Sequence, residues 1–216
     1  MKNAETPVDK IVLYGAMSSL GSALMVELLR RQQEVICILD DLTALAPRPG
    51  LRFKAGSLFE AAHVSEAVAG ATAVIVLLDA PILPTGAERN ERTAAGPDRP
   101  VKAVQALTGG MQRSGLRRLV VVGDFAVLQA PAAENQPQRR AVEAIGEVLA
   151  ASTLAWTLVN APPAVAGLTF EHFSQISSSL EPGLAEPLDR LGRVAAGIAD
   201  ELHLKLHLGE CMNFVC

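Results

Sequence analysis

The chain has 216 residues, half of them hydrophobic and 19% charged, with a formal net charge of −4 at pH 7. That is enough apolar material to bury a full core in one domain, and the acidic balance gives no electrostatic footing for a nucleic-acid or anionic-membrane partner. The polar opening MKNAETPVDK lacks a signal-peptide core, the apolar runs fall short of the ~20 residues that span a bilayer, and Cys37, Cys211 and Cys216 are too scattered for a disulfide framework, so the cytoplasm is expected.

Lys10–Tyr14 is a short, almost wholly apolar run, the pattern of a strand covered on both faces. Gly15-Ala16-Met17-Ser18-Ser19-Leu20-Gly21 joins it to a helical pattern over Ser19–Gln32, carried by Leu20, Leu24, Leu28 and Leu29. Glycine at 15 permits a tight turn and glycine at 21 lets helix and strand approach closely. The helix start offers unpaired N–H groups and partial positive charge to a pyrophosphate. Ser18 and Ser19 are capping residues whose hydroxyls could also donate to phosphate oxygens. A plain capped turn that binds nothing is the alternative reading.

Glu34–Leu39 is a second β-branched run and ends in Asp40-Asp41. Asp40 lies 19 residues past Gly21, the reach expected for an acid on an adenosine ribose 2′-hydroxyl. A carboxylate there would repel a 2′-phosphate, so NAD(H) is preferred over NADP(H). Further strands are expected at Leu51–Ala55, Ala73–Leu78, Leu119–Val122, Trp156–Asn160 and Met212–Cys216. Helices are expected at Ala61–Ala69, Val101–Arg113, Ala141–Ala151 and Leu191–Leu202, with Gly109-Gly110 weakening the second of these. This alternation predicts a single doubly wound parallel sheet of Rossmann type, residues 1–216 forming one domain with a small cap at 163–190. Ala80–Pro100 and Ala164–Pro187 are irregular stretches after strands, on the side where such sheets take ligands.

On these residues the chain resembles the NmrA-like, atypical short-chain dehydrogenase group of NAD(P)-binding proteins. Its Gly15–Gly21 turn is similar to the family's Gly-Ala-Thr-Gly-x-x-Gly, with Ser18 in place of the middle glycine. Gly56-Ser57 stands where a glycine-aspartate pair is usual, and Leu116–Gly123 and Leu154–Val159 followed by Pro162-Pro163 look like the family's late strands. The resemblance implies cofactor contacts at Gly15, Met17, Ser18, Ser19, Leu20, Gly21, Asp40 and Asp41. It also implies an adenine pocket at Ser57-Leu58 and nicotinamide-side contacts at Leu78, Asp79 and Gly123.

Chemistry is less legible. Short-chain dehydrogenases use a tyrosine with a lysine four residues on, yet Tyr14 is the one tyrosine here and the five lysines, at 2, 10, 54, 102 and 205, are not placed to partner it after the fifth strand. Hydride transfer to a small substrate such as a quinone or flavin would then rest on orientation by the protein and on the cofactor itself. Asp124 is the weak candidate for an acid or polar anchor. The rival is a non-catalytic dinucleotide sensor or interaction protein on the same fold. His203, His207 and Cys211 could suggest a metal, since i, i+4 histidines meet on one helix face, but Leu202–Leu208 alternates in a way that fits an extended segment equally well, with Lys205 then between the histidines, and no metal is expected. The pairs Arg30-Arg31, Arg117-Arg118 and Arg139-Arg140 read as helix ends or solvated surface. Partners are a dinucleotide and a small substrate, with a homodimer allowed and neither nucleic acid nor membrane expected.

Overall fold

A computed structural model describes residues 8–78, 99–125, 136–174 and 183–214. Strands β1 (Lys10–Tyr14), β2 (Glu34–Leu39), β3 (Leu51–Ala55), β4 (Ala73–Leu77), β5 (Arg118–Gly123), β6 (Ala155–Asn160) and β7 (Glu210–Asn213) form one sheet in the order β3-β2-β1-β4-β5-β6-β7. Every pairing is parallel. The helices are α1 (Ser19–Arg30), α2 (Ala61–Ala67), α3 (Arg99–Ser114), α4 (Gln136–Ala150), α5 (Phe170–Ser174) and α6 (Ala185–Leu204). Parallel neighbours require crossovers, and these put helices on both faces of the sheet.

The alternation of side chains divides the core in two. Ile11 and Leu13 of β1 pack with α1, α5 and α6, whereas Val12 and Tyr14 pack with α2, α3 and α4. Both faces of β1 are thus buried, which is why its sequence shows no polar alternation. The chain leaves β1 toward β2 and β3 on one side and resumes at β4 on the other. The carboxyl ends of β1 and β4 therefore flank the point where strand order reverses, the place such sheets offer to a ligand.

Several elements differ from the sequence expectation. The helix expected to begin at Leu191 starts at Ala185, so Ala164–Pro187 is less irregular than expected and includes the short α5. Leu202–Leu208 is not extended: α6 runs to Leu204 and Lys205 ends it in the left-handed conformation with φ 52°. Gly109-Gly110 does not interrupt α3; a Cβ on Gly110 would lie 2.6 Å from the Val64 side chain, so the glycine is where α3 and α2 touch. Arg118 is not solvated surface. It is 6% exposed and pairs with the buried Glu201. The expected β7 residues Val215-Cys216, and most of Ala80–Pro100, lie outside the described residues. Among the described residues no helix is long and apolar enough to cross a membrane.

Candidate functional site

The turn after β1 is built by its own hydrogen bonds. Gly15 has φ +85°, a left-handed geometry that favours glycine. Ser18 is the N-cap of α1: its Oγ accepts from Gly21 N–H at 3.0 Å and donates to Gly15 O at 3.0 Å. Gly21 is sterically required, because a Cβ there would sit 2.3 Å from Gly15 O. These bonds use the Gly21 amide and the Ser18 hydroxyl. The Ser19 and Leu20 amides take no backbone partner among the described residues, so they face the turn as open donors at the positive end of the helix.

The two serines therefore differ. Either hydroxyl could donate to a phosphate on the sequence pattern alone, but Ser18 spends its proton on Gly15 O. Ser19 Oγ accepts from Val165 N–H at 2.9 Å, a contact across 146 positions that no local pattern announces, and keeps its proton to donate. Met17 projects into solvent, 48% exposed, while Leu20 is buried in the core.

Ser18 and Leu20 line a crevice with Leu77, Val122, Ala161, Pro162 and Ala164. These come from the turn and from the carboxyl ends of β4, β5 and β6, so the walls beyond the serine are apolar. Leu78 continues β4 and donates its N–H to Val122 O at 2.9 Å. Gly123 ends β5, and Phe125 folds back against it, held by its N–H on Asn160 Oδ1 at 2.8 Å. Asp124 is exposed beside them. Asp79 lies outside the described residues.

At the other side of the reversal point, Asp40 and Asp41 follow β2 and are exposed. Asp41 Oδ1 accepts from both the hydroxyl and the amide of Thr43, at 2.6 and 2.8 Å, which holds its carboxyl below the usual aspartate value. Ser57 Oγ accepts from Phe59 N–H, and Leu58 is buried in the core beside Tyr14. The Tyr14 hydroxyl is buried without a hydrogen-bond partner, and burial raises its phenol well above the ordinary value. All of these residues leave the sheet at the same edge.

The remaining candidates lie elsewhere. His203 and His207 do not face one another on a helix: Nδ1 of His203 is 3.1 Å from Ala199 O, and Nδ1 of His207 is 2.9 Å from Glu201 Oε2. Among the described residues no group of three His, Cys, Asp or Glu gathers to hold a metal. Cys37 is buried, its thiol pushed up to about 12 by desolvation.

A strand, a glycine turn, a helix start with open amides and an acid after the next strand share one edge. The family model described as NAD(P)H-binding matches residues 15–169, the span from that turn to the segment after β6. The chain belongs to the NAD(P)H-binding family. No curated protein matches it. Among solved structures it is similar to a Burkholderia pseudomallei protein provisionally described as exported, at 20% identity and TM-score 0.63, over 95% of this chain and 98% of that one. A wide-type short-chain dehydrogenase/reductase from Veillonella parvula in complex with NADP is 14% identical, with TM-score 0.60 over 96% and 94% of the two chains. The Bordetella bronchiseptica enzyme WbmH in complex with NAD+ is also 14% identical, with TM-score 0.62 over 96% and 76%. At these identities the likeness is one of fold.

Proposed function

We propose that this NAD(P)H-binding chain is an NAD(H)-using oxidoreductase of the NmrA-like, atypical short-chain dehydrogenase branch, passing hydride to a small acceptor such as a quinone or flavin. The observation that carries the reading is the α1 start: two open amides and the Ser19 hydroxyl beside a crevice whose other walls are apolar. Ser19, Leu20 and Gly15 would hold the diphosphate, Asp40 the adenosine ribose, and Ser57-Leu58 the adenine. Leu78, Asp79 and Gly123 would face the nicotinamide, whose hydride chemistry belongs to the cofactor. Asp124 is the acid or polar anchor available at that end. Residues 1–216 act as one domain, with 163–190 as a cap on the substrate side, in a reducing cytoplasmic setting that suits the free Cys37 and Cys211.

A second reading, a dinucleotide-responsive protein without turnover, is favoured by the chain's inventory. Its single tyrosine is sealed in β1, and α4 carries neither tyrosine nor lysine. Calorimetric titration with NADH and NADPH tests the common part: no heat at millimolar nucleotide would remove both readings. NADH oxidation with quinone and flavin acceptors then separates enzyme from sensor, and sedimentation of the same samples reads whether a homodimer forms.

A further inference from the structure

We propose that Ser19 is a positioning residue that couples bound diphosphate to the segment following β6. The proposal rests on the dinucleotide reading above and goes beyond it by giving the bound ligand a mechanical consequence. Ser19 opens α1 and is 3% exposed, so its hydroxyl works in a sheltered place. The oxygen accepts the N–H of Val165, a residue 146 positions away in the chain. A hydroxyl that accepts one bond still has a proton to give, and no described residue takes it. The adjacent amides of Ser19 and Leu20 take no backbone partner among the described residues and would serve the same diphosphate.

The segment held by this bond is a wall of the crevice. Ala161, Pro162 and Ala164 face Ser18 and Leu20 across a cavity of about 10 Å³, room for roughly one water. Further along, Leu168 and Phe170 are buried in the same core as α1, and Arg48 stacks on the Phe170 ring at 4.3 Å and pairs with Glu171. The segment is thus fastened beyond Val165 by packing, and at Val165 by this hydrogen bond together with the partly buried valine side chain.

A diphosphate that accepts the Ser19 proton makes the oxygen a better acceptor, because hydrogen bonds in series polarise one another. The chain Val165 N–H to Ser19 Oγ–H to phosphate then tightens as a unit. By linkage, anything that loosens the segment weakens the ligand to the same extent. Ser18 cannot play this part, since its proton is committed to Gly15 O.

The test is amide exchange at Val165 in the full chain, with and without NADH or ADP, together with nucleotide affinity, in wild type, Ser19→Ala and Ser19→Thr. Prolines at 162 and 163 carry no amide, which simplifies assignment of Val165. In wild type both nucleotides slow exchange at Val165 by about tenfold, since each carries the diphosphate. Ser19→Ala loses that slowing and binds NADH about tenfold more weakly; Ser19→Thr, which keeps a hydroxyl, restores both. Binding that leaves Val165 exchange unchanged, or an alanine variant within about twofold of wild type in affinity, overturns the coupling while the dinucleotide reading stands. A wild type that binds neither nucleotide removes both.

Discussion

Arg118 Nη2 lies 3.0 Å from Glu201 Oε1, joining the start of β5 to α6 beneath the sheet, and the two side chains are 6% and 1% exposed. The carboxylate also receives the Leu206 and His207 amides and the His207 ring, and the Thr157 hydroxyl lies 3.1 Å away. Burial alone would raise the Glu201 carboxyl, but these donors and the Arg118 charge hold it below the usual glutamate value. Glu201→Ala strands a buried guanidinium and is expected to cost about 3–5 kcal/mol in urea unfolding. A loss below about 1 kcal/mol would mean that Arg118 finds water in the variant.

The same pair sets a pH dependence. A carboxyl whose folded value lies below its unfolded value contributes stability that is complete above the unfolded value, near 4.3, and is lost as pH falls through the folded one. The difference in stability between wild type and Glu201→Gln is therefore largest near neutrality and shrinks in acid, below about pH 4. Unfolding midpoints measured from pH 7 to pH 3 check this, and a constant difference would contradict it.

At the turn, Ser18 closes the cap that a middle glycine would leave open. Ser18→Gly should cost only a few tenths of a kcal/mol, because glycine is itself tolerated at an N-cap, whereas Ser18→Ala should cost about 1 kcal/mol. The glycine variant should bind NADH more tightly, since it removes the side chain at the closest point of approach. Calorimetry on the two variants checks both halves, and weaker binding by Ser18→Gly would show that the serine helps the ligand.

Gly21→Ala has no comparable freedom. The new methyl would lie 2.3 Å from Gly15 O and 2.8 Å from Ala16 O, both backbone atoms. Relief requires the turn to open, at an expected cost of about 1–3 kcal/mol, with loss of nucleotide binding beyond what the stability change explains. An alanine variant that binds NADH normally would show the turn to be adjustable.

Much of this architecture was written in local patterns. Apolar runs bounded by glycine, and the Gly15–Gly21 turn followed by Asp40, specify β1, α1 and β2 because each feature acts within a few residues. What escaped depends on contacts between distant residues. Arg118 looks like any surface arginine until Glu201 meets it 83 positions later. Ser19 looks like an ordinary capping residue until Val165 reaches it. The Leu202–Leu208 alternation suits an extended segment as well as a helix, because a helix end and a turn can mimic period two over so short a span.

In the proposed NAD(H) reading, cofactor preference would turn on Asp40. It follows β2 at the carboxyl edge of the sheet and is exposed. A carboxylate facing the adenosine ribose favours a 2′-hydroxyl that can donate to it and disfavours a 2′-phosphate by like-charge repulsion. Asp40→Arg reverses the sign and offers a guanidinium to the phosphate. The ratio of NADPH to NADH affinity should rise at least about tenfold, roughly one charge-assisted hydrogen bond, with Asp41→Ala as the control that moves it little. An unchanged ratio in Asp40→Arg, with NADH binding retained, would mean that the carboxylate points away from the ribose and that selectivity is set elsewhere.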